Sequence, residues 1–157
     1  MNRLVVTLCW SLLGFGGLAA GPPQFTDYPV ANIFRGTPAA PVLSNRMARM
    51  FRTQLRNSVQ YGPNFAGHYT VARWGCGAGC VTVAVMDAAS GQVWFAPFNI
   101  EDARTEAGAF CNHTSDFQLD SELFMATGRI NSRVGTHYFV WQHSKLTPLY
   151  FEAARCP

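Results

Sequence analysis

Trp74-Gly75-Cys76-Gly77-Ala78-Gly79-Cys80 places two thiols four positions apart in a glycine-rich setting, with His68 a short way upstream. Three chemistries are open to such a set. A thiolate pair can exchange with substrate disulfides, but that chemistry is usually built on Cys-x-x-Cys at a helix N-terminus, where the dipole lowers the thiol pKa. Here the spacing is one residue longer and the glycines mark a hairpin loop. A zinc site would draw on Cys76, Cys80, Cys111 and His113, with His68 near by, because zinc takes four such ligands in a tetrahedron. Cys111-Asn112-His113 lacks the two-residue gap of a chelating knuckle, however. His68 as the base of a Cys–His nucleophile needs a free thiol. The plainer reading is a disulfide that staples the loop, with His68 anchored at the start of a strand. Neither a metal nor a cofactor is expected.

The compartment decides between these readings. The chain opens Met1-Asn2-Arg3, continues with an apolar run from Leu4 to Phe15, and exits through Gly16-Gly17-Leu18-Ala19-Ala20. A short positive region, an apolar region and a small-residue exit make a secretory signal peptide, with cleavage expected after Ala20, or after Ala19 as second choice. The run is too short for a comfortable membrane span, so a soluble periplasmic or secreted product without stable membrane insertion is expected. Cleavage removes Cys9 and leaves Cys76, Cys80, Cys111 and Cys156. An even count in an oxidising compartment favours two disulfides, with three possible connectivities. Cys76–Cys80 is expected to close the hairpin. Cys111–Cys156 then follows by elimination, tying a polar excursion to the C-terminus.

Twelve basic and nine acidic residues leave a net charge of +3, which argues neither for nor against polyanions. With an exported address, nucleic acid is not an expected partner. Strong catalytic signatures are absent from the sequence: there is no Gly-x-Ser-x-Gly elbow, phosphate loop or His-Glu-x-x-His.

The elements that must position the cysteines follow from periodicity. Residues 1–20 read as the signal peptide, 21–43 as an extended proline-rich leader, and 44–157 as a single α+β domain. Ser44 or Asn45 can cap a helix, in which Met47, Met50, Phe51, Leu55 and Val59 form one apolar stripe. Arg46, Arg49, Arg52 and Arg56 fall on the opposite side, and Tyr61-Gly62-Pro63 ends the element. Strands are expected over 68–76, 80–87, 93–98, 119–127, 136–142 and 147–152. Gly77-Ala78-Gly79, residues 87–91, Gly128 and residues 143–145 supply the turns, and 99–116 forms the excursion. The predicted fold is therefore an N-terminal amphipathic helix packed on an antiparallel β-meander of about five or six strands, stapled by disulfides.

Register carries a further expectation. A loop at 77–79 sets Cys76 opposite Cys80, Trp74 opposite Thr82 and Ala72 opposite Ala84. Val81, Val83 and Val85 then share a face with Tyr69, Val71, Trp94, Ala96 and Phe98, the face expected to receive the helix. The other face carries His68, Thr70, Trp74, Thr82, Met86 and the cysteines. This more mixed face is expected to be either a second core layer or a binding surface, and with Arg49 and Arg56 it makes the candidate surface.

Pro63-Asn64-Phe65-Ala66-Gly67-His68-Tyr69, followed by Trp74-Gly75-Cys76-Gly77 with Cys80 and the turn Gly91-Gln92-Val93, resembles a group of uncharacterised exported proteobacterial proteins. Asp120-Ser121-Glu122-Leu123 and Tyr138-Phe139-Val140-Trp141 are similar to that group too. The resemblance spans roughly residues 45 to 151 and implies fold and compartment. It implies no catalytic or binding residue.

Two other features have a sharp and a plain reading. The arginine stripe fits an anionic glycan, a lipid headgroup or an acidic protein, or is a solvated helix face. Glu101, Asp102 and Glu106 suggest a calcium loop but lack the alternating Asp/Asn and Gly spacing. The function expected is a non-catalytic exported binding or accessory protein, inhibitor-like or an envelope-stress factor, whose partner is another exported protein or an envelope component. The alternative is a small periplasmic enzyme, thiol-redox or hydrolase, working through the Cys/His surface.

Overall fold

The structure, a computed structural model, describes residues 21–105 and 107–153. The expected signal segment, Glu106 and Cys156 lie outside the described residues. The chain is mostly antiparallel sheet with few helices. β1 (Tyr69–Gly77), β2 (Cys80–Asp87) and β3 (Val93–Glu101) form a meander. β4 (Ala103–Arg104) and β5 (Phe110–Cys111) make a separate two-stranded ribbon. β6 (Thr114–Phe117), β7 (Leu123–Ile130), β8 (Arg133–Gln142) and β9 (Lys145–Ala153) complete the main sheet, in the order β1-β2-β3-β7-β8-β9 with β6 on β7.

The nine strands among the described residues exceed the five or six expected, and the surplus comes from 99–116. That stretch was expected as a polar excursion. In fact β3 runs on through Glu101, because its alternation continues: Ile100 is buried while Asn99 is exposed.

Gly128, expected at a turn, lies inside β7 opposite Gly135. The turn is Asn131-Ser132, with φ of +48° and +70°, a left-handed pair suited to a two-residue hairpin. Gly128 serves a close approach instead. β3 and β6 share one edge of β7, and at the changeover Glu101 pairs with Arg129. A Cβ on Gly128, whose φ is +140°, would lie 2.6 Å from the Glu101 carbonyl oxygen.

The narrow β3–β7 joint lets the sheet curl until its two halves face each other. Phe98 stacks on Phe139 with centroids 4.7 Å apart, Tyr69 meets Trp141 at 5.1 Å, and Trp94 meets Trp141 at 5.8 Å. None of these residues is on neighbouring strands. Arg73 of β1 reaches across to β6, donating to the Ser115 carbonyl and hydroxyl. The core between the halves holds Phe65, Val83, Val85, Ile100 and Phe124, each no more than 1% exposed.

This arrangement reverses the expectation for the helix. The valine face is sealed by β7, β8 and β9, so the helix packs on the other face. There Ala72 sits opposite Ala84, and two methyl side chains make a shallow trough in which a helix can lie close. The helix itself is two segments, α1 (Arg46–Met50) and α2 (Arg52–Val59), meeting at Phe51. Asn45 Oδ1 caps α1 by accepting the Ala48 N–H at 2.9 Å. Ala48, Leu55 and Val59 are buried with Ala72, Ala84 and Met86, and Phe51 is half-buried. Met47 and Met50, expected in the buried stripe, are 41% and 53% exposed. The small Ala48 takes the place they were given, because close approach to the alanine trough leaves no room for a longer side chain.

Residues 21–43 run over the sheet and are tied down by backbone bonds. The N–H groups of Val30, Phe34 and Val42 donate to the carbonyls of Asp120, Gly67 and Gly91. Gly67 is required at its contact, since a Cβ there would run into the Asn32 carbonyl.

Candidate binding groove

The helix covers the outer face of β1 and β2 and reaches β3 only at Val93 and Phe95. Side chains of β3 that point outward, Phe95, Pro97, Asn99 and Glu101, therefore form the floor of an open groove of about 960 Å³. Met47 and Phe51 wall one side, and the β7–β8 hairpin (Arg129, Asn131, Ser132, Val134) walls the other.

The floor is shaped by a bulge. Thr82 pairs with Asn99 and Ala84 with Phe95, so Ala96, Pro97 and Phe98 together oppose Val83 alone. Pro97 fits such a site because it has no N–H to give to the ladder. The groove grades from apolar to polar along β3. At the Phe95 end Phe51 lies 6.4 Å away and Trp74 6.1 Å away. Further along, the Thr82 hydroxyl donates to Asn99 Oδ1 at 3.1 Å. That bond engages the amide oxygen of Asn99, an exposed residue of the groove lining whose amide nitrogen carries two N–H donors. At the far end Arg129 bridges Glu101 at 2.8 Å.

The stapled hairpin abuts the polar end, because Cys80 pairs with Glu101. Cys76 and Cys80 are disulfide-bonded with Cα atoms 5.2 Å apart. The expected pairings of Trp74 with Thr82 and Ala72 with Ala84 are present, and the register slips by one only at the loop: Gly77 faces Cys80, and Cys76 is the extra residue of a bulge between Gly75 and Gly77. The loop therefore shrinks to Ala78-Gly79. Cys111 is also disulfide-bonded; Cys156, its expected partner, lies outside the described residues. Beside the hairpin, Asp102 Oδ1 accepts from the His113 backbone N–H at 2.7 Å and lies 2.6 Å from His113 Nδ1. The backbone donor first, and then the ring, hold the Asp102 carboxyl below the usual range. Glu101 and Asp102 are thus engaged by Arg129 and His113. Among the described residues no group of three or more His, Cys, Asp or Glu is placed to hold a metal.

The structure scatters the surface expected from the sequence. Thr82 reaches the groove, and Trp74 supports its rim by packing on Phe51 at 4.8 Å. Thr70 is fully buried, its hydroxyl donating to the Gly62 carbonyl at 3.0 Å. Arg49 of α1 and Arg56 of α2 are exposed and do not line the groove. His68 packs against Tyr69, its ring tilted and centred 4.0 Å away, in a separate cavity of about 420 Å³ with Glu122, Trp141 and His143. It sits just before β1 and Cys76 near its end. At about 3.3 Å per residue the two are roughly 25 Å apart. Asn99, Phe95 and the Glu101–Arg129 bridge were not foreseen. The signal for them was the period-2 alternation running past Phe98.

No protein-family model matches this chain, and neither a curated protein nor a solved structure is similar enough to it to count as a match.

Proposed function

We propose that this is an exported, non-catalytic binding protein whose groove holds an extended segment of another exported protein. The observation that carries the reading is the uncovered outer strip of β3. Its apolar floor at Phe95 and Pro97 gives way to the outward-facing Asn99 amide and then to the Glu101–Arg129 bridge. Such a strip suits a polypeptide, with side chains on the apolar part and a backbone carbonyl to accept from Asn99. Export is supported by the three-part N-terminal pattern and by the oxidised Cys76–Cys80 pair. The rival reading, a thiol-redox or hydrolytic enzyme, has less support, because the strand length separates His68 from both cysteines of the hairpin.

Native mass spectrometry of the protein recovered from the periplasm tests both halves of the proposal. The expected spectrum shows a mature chain beginning at Gly21 and a population carrying bound polypeptide that Phe95→Glu abolishes. Equal loading of the wild-type and variant proteins would place the ligand elsewhere.

A further inference from the structure

From Tyr28 to Met86 the chain contains no carboxylate side chain, yet it carries six arginines. Four of them, Arg46, Arg49, Arg52 and Arg56, lie on α1 and α2, and all four are exposed. The ion pairs among the described residues are Glu101–Arg129 and Asp102–His113, so none of the four has an acidic partner there. Arg49 Nη1 donates to the Leu43 and Ser44 carbonyls at 3.3 and 3.1 Å, and Arg52 Nη1 to the Arg49 carbonyl at 3.3 Å. These bonds steady two guanidiniums without neutralising them, and most of their N–H groups remain unused.

An exposed helix ordinarily alternates charges so that residues three and four apart attract. Here Arg49 and Arg52, and Arg52 and Arg56, stand at those separations and repel. Among the described residues no carboxylate offsets that repulsion. The same helical segment also exposes apolar groups out of keeping with a merely solvated surface: Met50 of α1 at 53% and Tyr61, just past α2, at 84%. Unbranched methionine and amphipathic tyrosine suit a boundary that is wet on one side and apolar on the other. Guanidiniums interspersed with such groups match an interfacial surface, where phosphates lie in a plane above hydrocarbon. An acidic protein would satisfy the charges but would give Met50 and Tyr61 no common apolar layer.

We infer that the exposed face of α1–α2 docks on a membrane surface rich in anionic phospholipid, with the four guanidiniums among the phosphates and Met50 and Tyr61 in the headgroup layer. The attachment is peripheral, since the apolar side of the helices is already buried on the sheet. The inference stands on these residues and does not depend on the groove.

Vesicle co-sedimentation of the purified protein at low salt is the test. The vesicles are either phosphatidylcholine alone or phosphatidylcholine with 30 mol% phosphatidylglycerol, a composition on the order of that in charged membranes. Binding is expected only to the anionic vesicles and is expected to be released by salt at about 0.5 M, where charge interactions are screened within a few ångströms. Changing all four arginines to Gln should weaken it at least ~10-fold while circular dichroism stays unchanged. Met50→Ser should weaken it about threefold and leave the lipid selectivity intact. Arg52→Glu is the second charge variant and should weaken binding should the fourfold variant fold poorly. Equal binding to both vesicle types, undiminished binding by the charge variants, or no binding to anionic vesicles would each overturn the inference. So would displacement by inorganic phosphate but not by chloride at matched ionic strength, which would show a site for the free anion. Preference for soluble polyglutamate over the vesicles would overturn it in favour of an acidic protein.

Discussion

The two faces of the β1–β2–β3 meander share one backbone and differ in what covers them. Inward, large side chains meet large side chains across the curl of the sheet: Phe98 on Phe139, and Tyr69 and Trp94 on Trp141. That face is closed. Outward, small residues prevail on β1 and β2, and the helix that lies on them reaches β3 only at Val93 and Phe95, leaving its strip from Pro97 to Glu101 open. The difference teaches where a binding surface can arise in a small sheet protein. Bulky residues on both halves force closure, whereas an alanine trough admits a helix only as wide as itself and leaves the next strand open.

The inner face should be the more costly to disturb. Phe124 is fully buried against Phe65, Phe117 and Phe139. Phe124→Ala is expected to lose about 3–5 kcal/mol in chemical denaturation. On the outer face Leu55 is also fully buried, and Leu55→Ala should cost ~2–5 kcal/mol while exposed Arg56→Ala stays within about 0.5 kcal/mol. Equal effects at Leu55 and Arg56 would mean that the buried side of α2 is misassigned. A loss at Phe124 smaller than at Leu55 would break the contrast between the faces.

Removing the staple should matter less, because its loop is short. The double variant Cys76→Ser/Cys80→Ser is expected to lose about 2 kcal/mol on the loop-entropy estimate. Peptide mapping without reductant should recover the Cys76–Cys80 link; a Cys76–Cys111 link would contradict the hairpin.

The smallest effect concerns β8. His137 is 8% exposed, lies against Phe151 at 4.8 Å, and through Nε2 donates to the Arg133 carbonyl at 3.1 Å. Burial pushes its pKa below the ordinary histidine value, outweighing the bond to the Arg133 carbonyl, which favours the protonated ring; the Arg133 charge adds a smaller push downward. The folded protein therefore binds this proton less readily than the unfolded chain. The stabilisation is complete above the free-histidine pKa of about 6.5 and is lost as pH falls below it. Denaturant midpoints should drop as pH falls below about 6.5, and His137→Phe should remove that part of the slope. An unchanged slope in the variant would show that the ring is not the titrating group.

How much of this was legible in the sequence depended on whether a signal was local. The Cys76–Cys80 bridge and the pairing of Trp74 with Thr82 were readable, because a glycine loop between two alternating runs sets register within a few residues. The bulge that shifts Cys76 was not, since Gly75, Gly77 and Gly79 offer several loops of similar cost. Which face the helix covers was not local at all. The valine face looked suited to a helix until Phe124, Phe139 and Trp141, some forty to seventy residues away in the chain, proved to occupy it. The groove followed from that unseen competition. Its residues Asn99 and Glu101 were hidden further by a boundary drawn at the last apolar residue of β3 instead of at the end of its alternation.

The central claim is that the open strip of β3 is the binding surface. Backbone amide NMR of the labelled protein, titrated with a soluble extract of its own envelope, tests it most directly. The predicted result is a set of shift changes confined to Phe51, Thr82, Phe95, Asn99, Glu101 and Arg129, with the inner face unmoved. Changes centred on His68, Glu122 and His143, or no changes at all along β3, would contradict the account.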